Sequence, residues 1–384
     1  MNVILYDTNR SNYYPLSLTR PISYFRIGIL TIEEKWRQYC KLVSVKTEDY
    51  LSNKFLINQT KDNVWVDAQI IPSEELVIEL RNLREGESLT KDDKVIAFRN
   101  RVFSFERLNP IESNVKLNII SNITDIFINN FSEIENDFKI IFNNNGNSLN
   151  ETNRCVGNDL FIEDGTDINY SIFNTTEGPI YIGKNVKIME GSMIHGPCAI
   201  LDNALLKMGS KIYGGTTIGP YCKVSGEVSN SVLFGYSSKS HDGYLGNSVI
   251  GEWCNLGANT NVSNLKNNYA NIKLWNYQNE KFMDTGLQFC GLIMGDHSKS
   301  GISTMFNTGT IVGVSANIFG SGFPRNFIPS FSWGGAHGFT NYQIEKVFDV
   351  ACKVFARRDV EFNDIEKDIL LTVYNMTKRY RNES

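Results

Sequence analysis

Between Ile182 and Val224 an aliphatic residue recurs at every sixth position: Ile182, Ile188, Ile194, Ile200, Leu206, Ile212, Ile218 and Val224. Four places after each of the first seven stands a small or compact residue: Val186, Ser192, Cys198, Ala204, Ser210, Thr216 and Cys222. Neither a helix, with its period of 3.6, nor a strand, with its period of 2, produces a six-residue ladder. A hexapeptide repeat instead predicts a parallel β-helix, in which each repeat lays one short strand on one flat wall of a prism.

The ladder slips through SGEVSNSVLFGYSSKSHDGYLGN and resumes at Ile250, Leu256 and Val262, with Cys254 and Thr260 at the compact positions. A polar insertion, NLKNNYANIKLWNYQNEKFMDTG, interrupts it again. The period then returns as Met294, Ser300, Phe306, Val312 and Ile318. Coils of a solenoid are uniform, so a loop leaving them is where function is expected. Cys198, Cys222 and Cys254 fall on inward positions and are expected to act as compact core thiols. Across all seven cysteines there is no CxxC pair.

The flanks of the solenoid have other periods. Residues 1–155 alternate strand-like and helical runs, predicting an α/β domain with a mostly parallel sheet and helices on both faces. NVILYD, VWVDAQIIP and KVIAFRN are expected strands, the second ending at Pro72. Thr31 with Glu34 forms a capping box ahead of TIEEKWRQYC, and SEELVIELRNL has helical spacing. The Asn-rich stretch FNNNGNSLNETN marks the end of this unit. Residues 156–338 are the β-helix, and residues 339–384 are helical. In that last zone Thr340 and Gln343 are expected to cap a helix with Ile344, Val347, Phe348, Ala351, Val354 and Phe355 on one face. These helices are expected to cover the solenoid's open end or to pack beside a second subunit.

The net charge of −4 argues against a nucleic-acid partner. No apolar stretch reaches the length of a membrane span, and MNVILYDTNRSNYYP lacks the features of a signal peptide, so a cytoplasmic protein is expected. His241 lies at the ladder's slip, close to Gly243, Gly246 and Gly251 and upstream of Asn255, Asn259 and Asn264. A neutral imidazole can take a proton from an amine, and carboxamides with corner N–H groups can orient a sugar or hold an oxyanion. A bland loop histidine is the alternative. His195 is expected at an exposed corner, and His297 near a groove in the late coils. Four histidines not spaced by a coil make a three-histidine zinc site untenable.

HDGYLGNSVIGEWCNLGAN resembles the acceptor-site motif HLxYLGDxxIGxxxNIGAG of the bifunctional N-acetylglucosamine-1-phosphate uridylyltransferase/glucosamine-1-phosphate N-acetyltransferase family. PLSLTRPISYFRIGILTIEEKW is similar to a divergent branch of sugar nucleotidyltransferases. The resemblance implies a Rossmann-like nucleotidyltransferase domain, a left-handed β-helix acyltransferase domain and a homotrimer with no membrane partner. It implies His241 as general base, Tyr244 as a contact to the sugar phosphate, and Asn255 and Asn264 as holders of the amino sugar. Lys273 would serve as the loop lysine, while Ala258 and Ser303 would line the acetyl-CoA groove. In the N-terminal domain Arg10 and Arg20 would meet the phosphates of UTP or another NTP, and Asp67 would bind Mg²⁺.

The departures are specific. Tyr213 and Ser225 stand where the family has acceptor-side basic residues, with Lys211 and Lys223 as possible substitutes. The coenzyme-contacting arginine is missing from FIPSFSWGG, with Arg325 nearby. The glycine-rich loop is replaced by YDTNRSNYYPLSLTRP, which contains no glycine. The implied activity is acetyl transfer to an amino-sugar 1-phosphate together with nucleotidyl transfer. A nucleotidyltransferase with a structural β-helix, or a non-catalytic sugar-nucleotide-binding scaffold, remains the alternative.

Overall fold

A computed structural model describes residues 1–142 and 146–381. Part of the Asn-rich boundary loop, residues 143–145, lies outside the described residues. The chain divides into two compact units. One contains residues 1–13, 19–26 and 30–123, and the other residues 14–18, 27–29 and 124–384.

The first unit is built on a six-stranded sheet. Asn2–Tyr6 lies at the middle of a parallel trio, between Leu42–Lys46 and Asn63–Asp67. Beyond Asn63–Asp67 the direction reverses: Lys94–Arg99 pairs antiparallel with it and with Glu87–Lys91, which in turn runs parallel to Asn109–Glu112. The sheet is therefore mixed rather than mostly parallel. Its antiparallel half is a hairpin turning at Asp92 and Asp93, both with positive φ, the geometry of a tight two-residue turn. The run VWVDAQIIP breaks into two strands, Asn63–Asp67 and Ile70–Ile71. Ile32–Tyr39 begins at the expected capping box, with the Thr31 side chain accepting from the Glu34 N–H. Glu74–Asn82 is capped by Ser73.

The second unit is the parallel β-helix. Among the described residues one wall has nine strands and another ten. The third has six, Arg154–Val156 through Tyr244–Gly246, followed by the pair Asn261–Val262 and Met305–Phe306. The register confirms the six-residue ladder. Ile182 pairs with Ile200 and Ile200 with Ile218, so a full coil takes eighteen residues, three hexapeptides. The ladder residues form a continuous buried core with Cys198, Cys222 and Cys254 inside it. Burial pushes the Cys198 and Cys254 thiols well above their usual range, so they stay protonated packing groups.

The coil closing at Leu233 is three residues short, since Ile218 pairs with Leu233. This shortening brings Lys239 into register with Val224, on the inward side of the wall. The later insertion folds as an antiparallel hairpin, Lys273–Asn276 against Lys281–Asp284.

Each coil turns between two of its walls at a residue in the left-handed region. Asn185 and Asn203 occupy this corner in the early coils; Tyr221, Tyr236 and Trp253 occupy it next, with φ of 59°, 54° and 60°. Large residues rarely adopt such a φ. Here they stack, Tyr221 on Tyr236 at 4.9 Å and Tyr236 on Trp253 at 4.2 Å. Phe355 continues the column at 3.9 Å from Trp253 and lies parallel to the ring of His297, the next corner residue. The helix Ile344–Ala356 is thereby fastened along this edge by Phe355, rather than across the solenoid's end. At that end the strand Gly338–Asn341 folds back antiparallel on Ser332–Gly335. Thr340 lies in that strand, so the expected Thr340/Gln343 cap does not form; Gln343 is the N-cap without a side-chain bond. The buried face of the helix is Ile344, Val347, Ala351 and Phe355, as its spacing predicts. Among the described residues no helix is long and apolar enough to cross a membrane.

Candidate active site

The slipped coil forms one side of a cavity of about 680 Å³. Its floor is the outward face of the ten-stranded wall, where Leu205, Lys223, Ser238, Asn255 and Lys299 stand in register on successive strands. His241, Gly257 and Ala258 border it at the adjoining corner, and Trp253 at the other. The end of the helix Ile344–Ala356 and the residues after it contribute Val354, Arg357 and Arg358. The aromatic column is what places these two arginines here.

The cavity is strongly cationic. Lys207, Lys223, Lys299, Arg357 and Arg358 line it, and among the described residues no Asp or Glu does. Burial lowers the Lys223 pKa, and the neighbouring charges of Arg358, Arg357 and Lys207 lower it further. Burial likewise lowers that of Lys299, whose Nζ donates to the His297 carbonyl at 2.8 Å. A lysine whose charge is opposed by neighbouring cations marks a site for an anion, which would relieve the repulsion.

Lys239 lies beneath this surface at 1% exposure. Its Nζ donates to the carbonyls of Ser225 at 3.0 Å and His241 at 2.9 Å. Burial depresses its pKa to about 8, although Asp242 pulls in the other direction. The ammonium thus ties the backbone of the His241 loop to the coil below, leaving the exposed imidazole at the cavity's edge.

The residues singled out in the sequence separate into groups. His241, Asn255 and Ala258 meet in this cavity. Ser303 is stacked on Ala258, its N–H donating to the Ala258 carbonyl at 2.7 Å. Tyr244 and Asn264 do not line the cavity but are joined on the third wall: Asn264 Nδ2 donates to the Tyr244 hydroxyl at 3.0 Å and to Asn247 Oδ1 at 2.7 Å. Gly246 admits that hydroxyl, since a Cβ there would lie 2.3 Å from it. Burial raises the Tyr244 pKa, and the Asn264 bond partly opposes this.

Lys273 is not brought to His241. It lies in the inserted hairpin and borders a different cavity, with Arg325. Of the two candidate substitutes, Lys223 reaches the His241 cavity, whereas Lys211 is exposed on the third wall beside Glu227. His195 is exposed, as expected, but sits within the strand Met193–His195. Sequence reasoning missed Lys239, Lys299, Arg357 and Arg358. The signal for Lys239 was a lysine three places out of step with the ladder.

In the first unit, Asp7 follows the central strand and Asp67 ends the neighbouring one. Arg10 is buried and bound to Asp7 Oδ2 at 2.5 Å, to Thr47 Oγ1 at 3.2 Å and to the Tyr50 hydroxyl at 3.3 Å. It also donates to the carbonyl of Arg20, itself buried. Burial works against the Arg10 charge, but Asp7 and Tyr50 more than offset it and raise its pKa.

Both carboxylates are already engaged. Asp7 Oδ1 accepts from the Ile22 N–H, and Oδ2 also accepts from Thr47. Asp67 Oδ1 accepts from the Gln69 N–H and Oδ2 from Thr8. Burial holds the Asp67 carboxyl above the usual range, with Asp7 adding to the effect. Among the described residues no group of three or more His, Cys, Asp or Glu side chains converges to hold a metal. Asp67, with Asp7 beside it, is the carboxylate that would hold a magnesium ion, and both of its oxygens already accept hydrogen bonds.

Residues 3–145 match the model of a family described as sugar nucleotidyl transferase. The bifunctional protein GlmU of Methanococcus aeolicus is 32% identical over 122 residues, covering 32% of this chain and 25% of that protein. The GlmU protein of Methanocaldococcus jannaschii is 36% identical over 89 residues, 23% of this chain and 21% of its own length. A bifunctional sugar-1-phosphate nucleotidylyltransferase/acetyltransferase of Sulfurisphaera tokodaii is 32% identical over 93 residues, 24% and 23% of the two chains. The matched stretch spans about a quarter of the length of these relatives. Among solved structures, the polySia specific acetyltransferase NeuO aligns with a TM-score of 0.29 and 12% identity, over 53% of this chain and 94% of that one.

Proposed function

We propose that the β-helix unit transfers an acetyl group from acetyl-CoA to the amine of an amino-sugar 1-phosphate. The observation that carries this reading is the cavity at the slipped coil, which joins an exposed imidazole to five cations without a carboxylate. Both substrates are phosphorylated, and phosphate is the anion such a cavity suits. Its volume lies in the range of small-molecule sites. The resemblance around His241 and the bifunctional relatives point to the same chemistry.

In the proposed reaction His241 accepts a proton from the sugar amine as the nitrogen attacks the thioester carbonyl carbon. The C–S bond then breaks, and the departing CoA thiolate takes up the proton. Asn255, exposed between Ser238 and Lys299, hydrogen-bonds the acceptor, and Ala258 with Ser303 borders the acyl donor. Lys223, Arg357 and Arg358 hold phosphate. The Tyr244–Asn264 pair lines the acceptor side in a trimer, where a neighbouring chain closes the groove. Exposed Ile172 and Met193, register neighbours on the third wall, offer apolar surface for that contact.

Nucleotidyl transfer from UTP or another NTP is assigned to the N-terminal unit from the family match. The engaged state of Asp7, Arg10 and Asp67 favours a second reading, in which this unit binds a sugar nucleotide without turning it over. Two assays on the full chain separate these readings: CoA release with glucosamine 1-phosphate and related acceptors, and pyrophosphate release with each common NTP. Absence of CoA release with every amino-sugar phosphate would overturn the acetyl-transfer reading. Pyrophosphate release would remove the second reading.

A further inference from the structure

The inserted hairpin, the last coils and the C-terminal turn border a second, open cavity of about 830 Å³, which shares no lining residue with the one at His241. Trp275 and Phe327 stack within it, 4.3 Å apart and nearly parallel. Phe282 stands edge-on to Trp275 and Tyr380 edge-on to Phe327, so the stack is held at its sides. Both stacked rings are only half-buried.

Four cations border the same cavity, Lys266 and Lys273 from the insertion, Arg325 from the last coils and Arg379 from the C-terminal turn. One carboxylate accompanies them, Glu280, 3.6 Å from Arg379. This excess of positive charge is local, because the whole chain carries a formal charge of −4. A cleft lined mainly by cations concentrates anions, and a half-buried aromatic stack is a platform for a flat ring.

We propose that this cavity is a ligand site for a nucleoside di- or triphosphate. The base lies against the Trp275–Phe327 stack, and the phosphates meet Lys273, Arg325 and Arg379. The site is independent of the acetyl-transfer reading, since none of its residues belongs to the His241 cavity. It also gives Lys273 and Arg325 a shared ligand, away from the acetylated amine.

The test uses the full-length protein labelled with 5-fluorotryptophan, with the Trp275 resonance assigned through Trp275→Phe. ADP, UDP, adenosine and inorganic pyrophosphate are titrated separately. ADP and UDP are expected to shift the Trp275 signal saturably, with adenosine and pyrophosphate each at least tenfold weaker. Lys273→Ala with Arg325→Ala should weaken the diphosphates at least tenfold. Lys223→Ala with Arg358→Ala should leave the titration unchanged. The proposal is overturned if neither diphosphate moves the Trp275 signal, or if pyrophosphate alone binds as well as ADP. It is also overturned if the Lys223/Arg358 variant, rather than the Lys273/Arg325 variant, abolishes the shift.

Discussion

Replacing Lys239 by methionine tests the buried ammonium through its pH dependence. Every other described ladder residue on that wall from Ile168 to Leu256 is aliphatic, and methionine nearly matches the lysine stem in shape. The Lys239 pKa falls from 10.5 to about 8 on folding. At 1.36 kcal/mol per unit, burying the charged form costs about 3 kcal/mol. Between pH 8 and 10.5 the unfolded chain holds a proton there that the folded chain has released, so stability from this residue rises with pH. The cost is present in full below pH 8 and gone above 10.5. Lys239→Met removes this dependence while losing the bonds to the Ser225 and His241 carbonyls, a term that shifts the variant's curve without bending it.

The stability of the variant minus that of the wild type should therefore fall by about 3 kcal/mol between pH 7 and 10.5. In melting temperature that is roughly 6 °C or more, taking about 2–4 °C per kcal/mol for a large domain. Melting of both proteins at pH 7, 8, 9, 10 and 10.5 reads this difference. Cys290, pushed up to about 12, and the other buried thiols also make stability pH-dependent, but equally in both proteins. Parallel curves would refute the argument, because they would mean that Lys239 keeps an ordinary, hydrated pKa.

Other outcomes follow from single contacts. Phe355→Ala removes a buried ring stacked on Trp253 and should cost about 3–5 kcal/mol, read as a lower melting temperature and faster hydrogen exchange over residues 344–376. Gly28→Ala places a Cβ 2.4 Å from Asp137 Oδ2 at φ +82° and should destabilise by about 2–3 kcal/mol in the same measurement. Arg357→Ala with Arg358→Ala should raise the KM for the phosphorylated substrates at least tenfold, with the melting temperature within a few degrees of wild type.

The solenoid was legible because its core obeys a strict spatial period, which the sequence repeats from Ile182 to Val224. The histidine loop was legible for the opposite reason, as a failure of that period. Lys239 was not, because a coil three residues short moves it into the wall, and its inward direction appears only in the register with Val224. The aromatic corners were equally hidden: Tyr221, Tyr236 and Trp253 occupy a backbone conformation usually left to Asn or Gly, and only their stacking explains them. Arg357 and Arg358 sit far along the chain from His241 and reach it because Phe355 joins that column. In the N-terminal unit, Asp92 and Asp93 form a tight turn whose strand Glu87–Lys91 has too few apolar residues to stand out. The placement of Lys273 depended on how the insertion folds back, which its polar composition does not specify.

The most direct test of the central claim follows the acetyl group itself. Wild-type protein and His241→Ala are incubated with isotopically labelled acetyl-CoA and glucosamine 1-phosphate, and the sugar product is weighed by mass spectrometry. Labelled N-acetyl product is expected from the wild type, with a loss of about 10²–10⁴-fold in rate for the variant at unchanged melting temperature, since His241 is exposed. Equal rates in the two proteins would contradict the general-base role of His241.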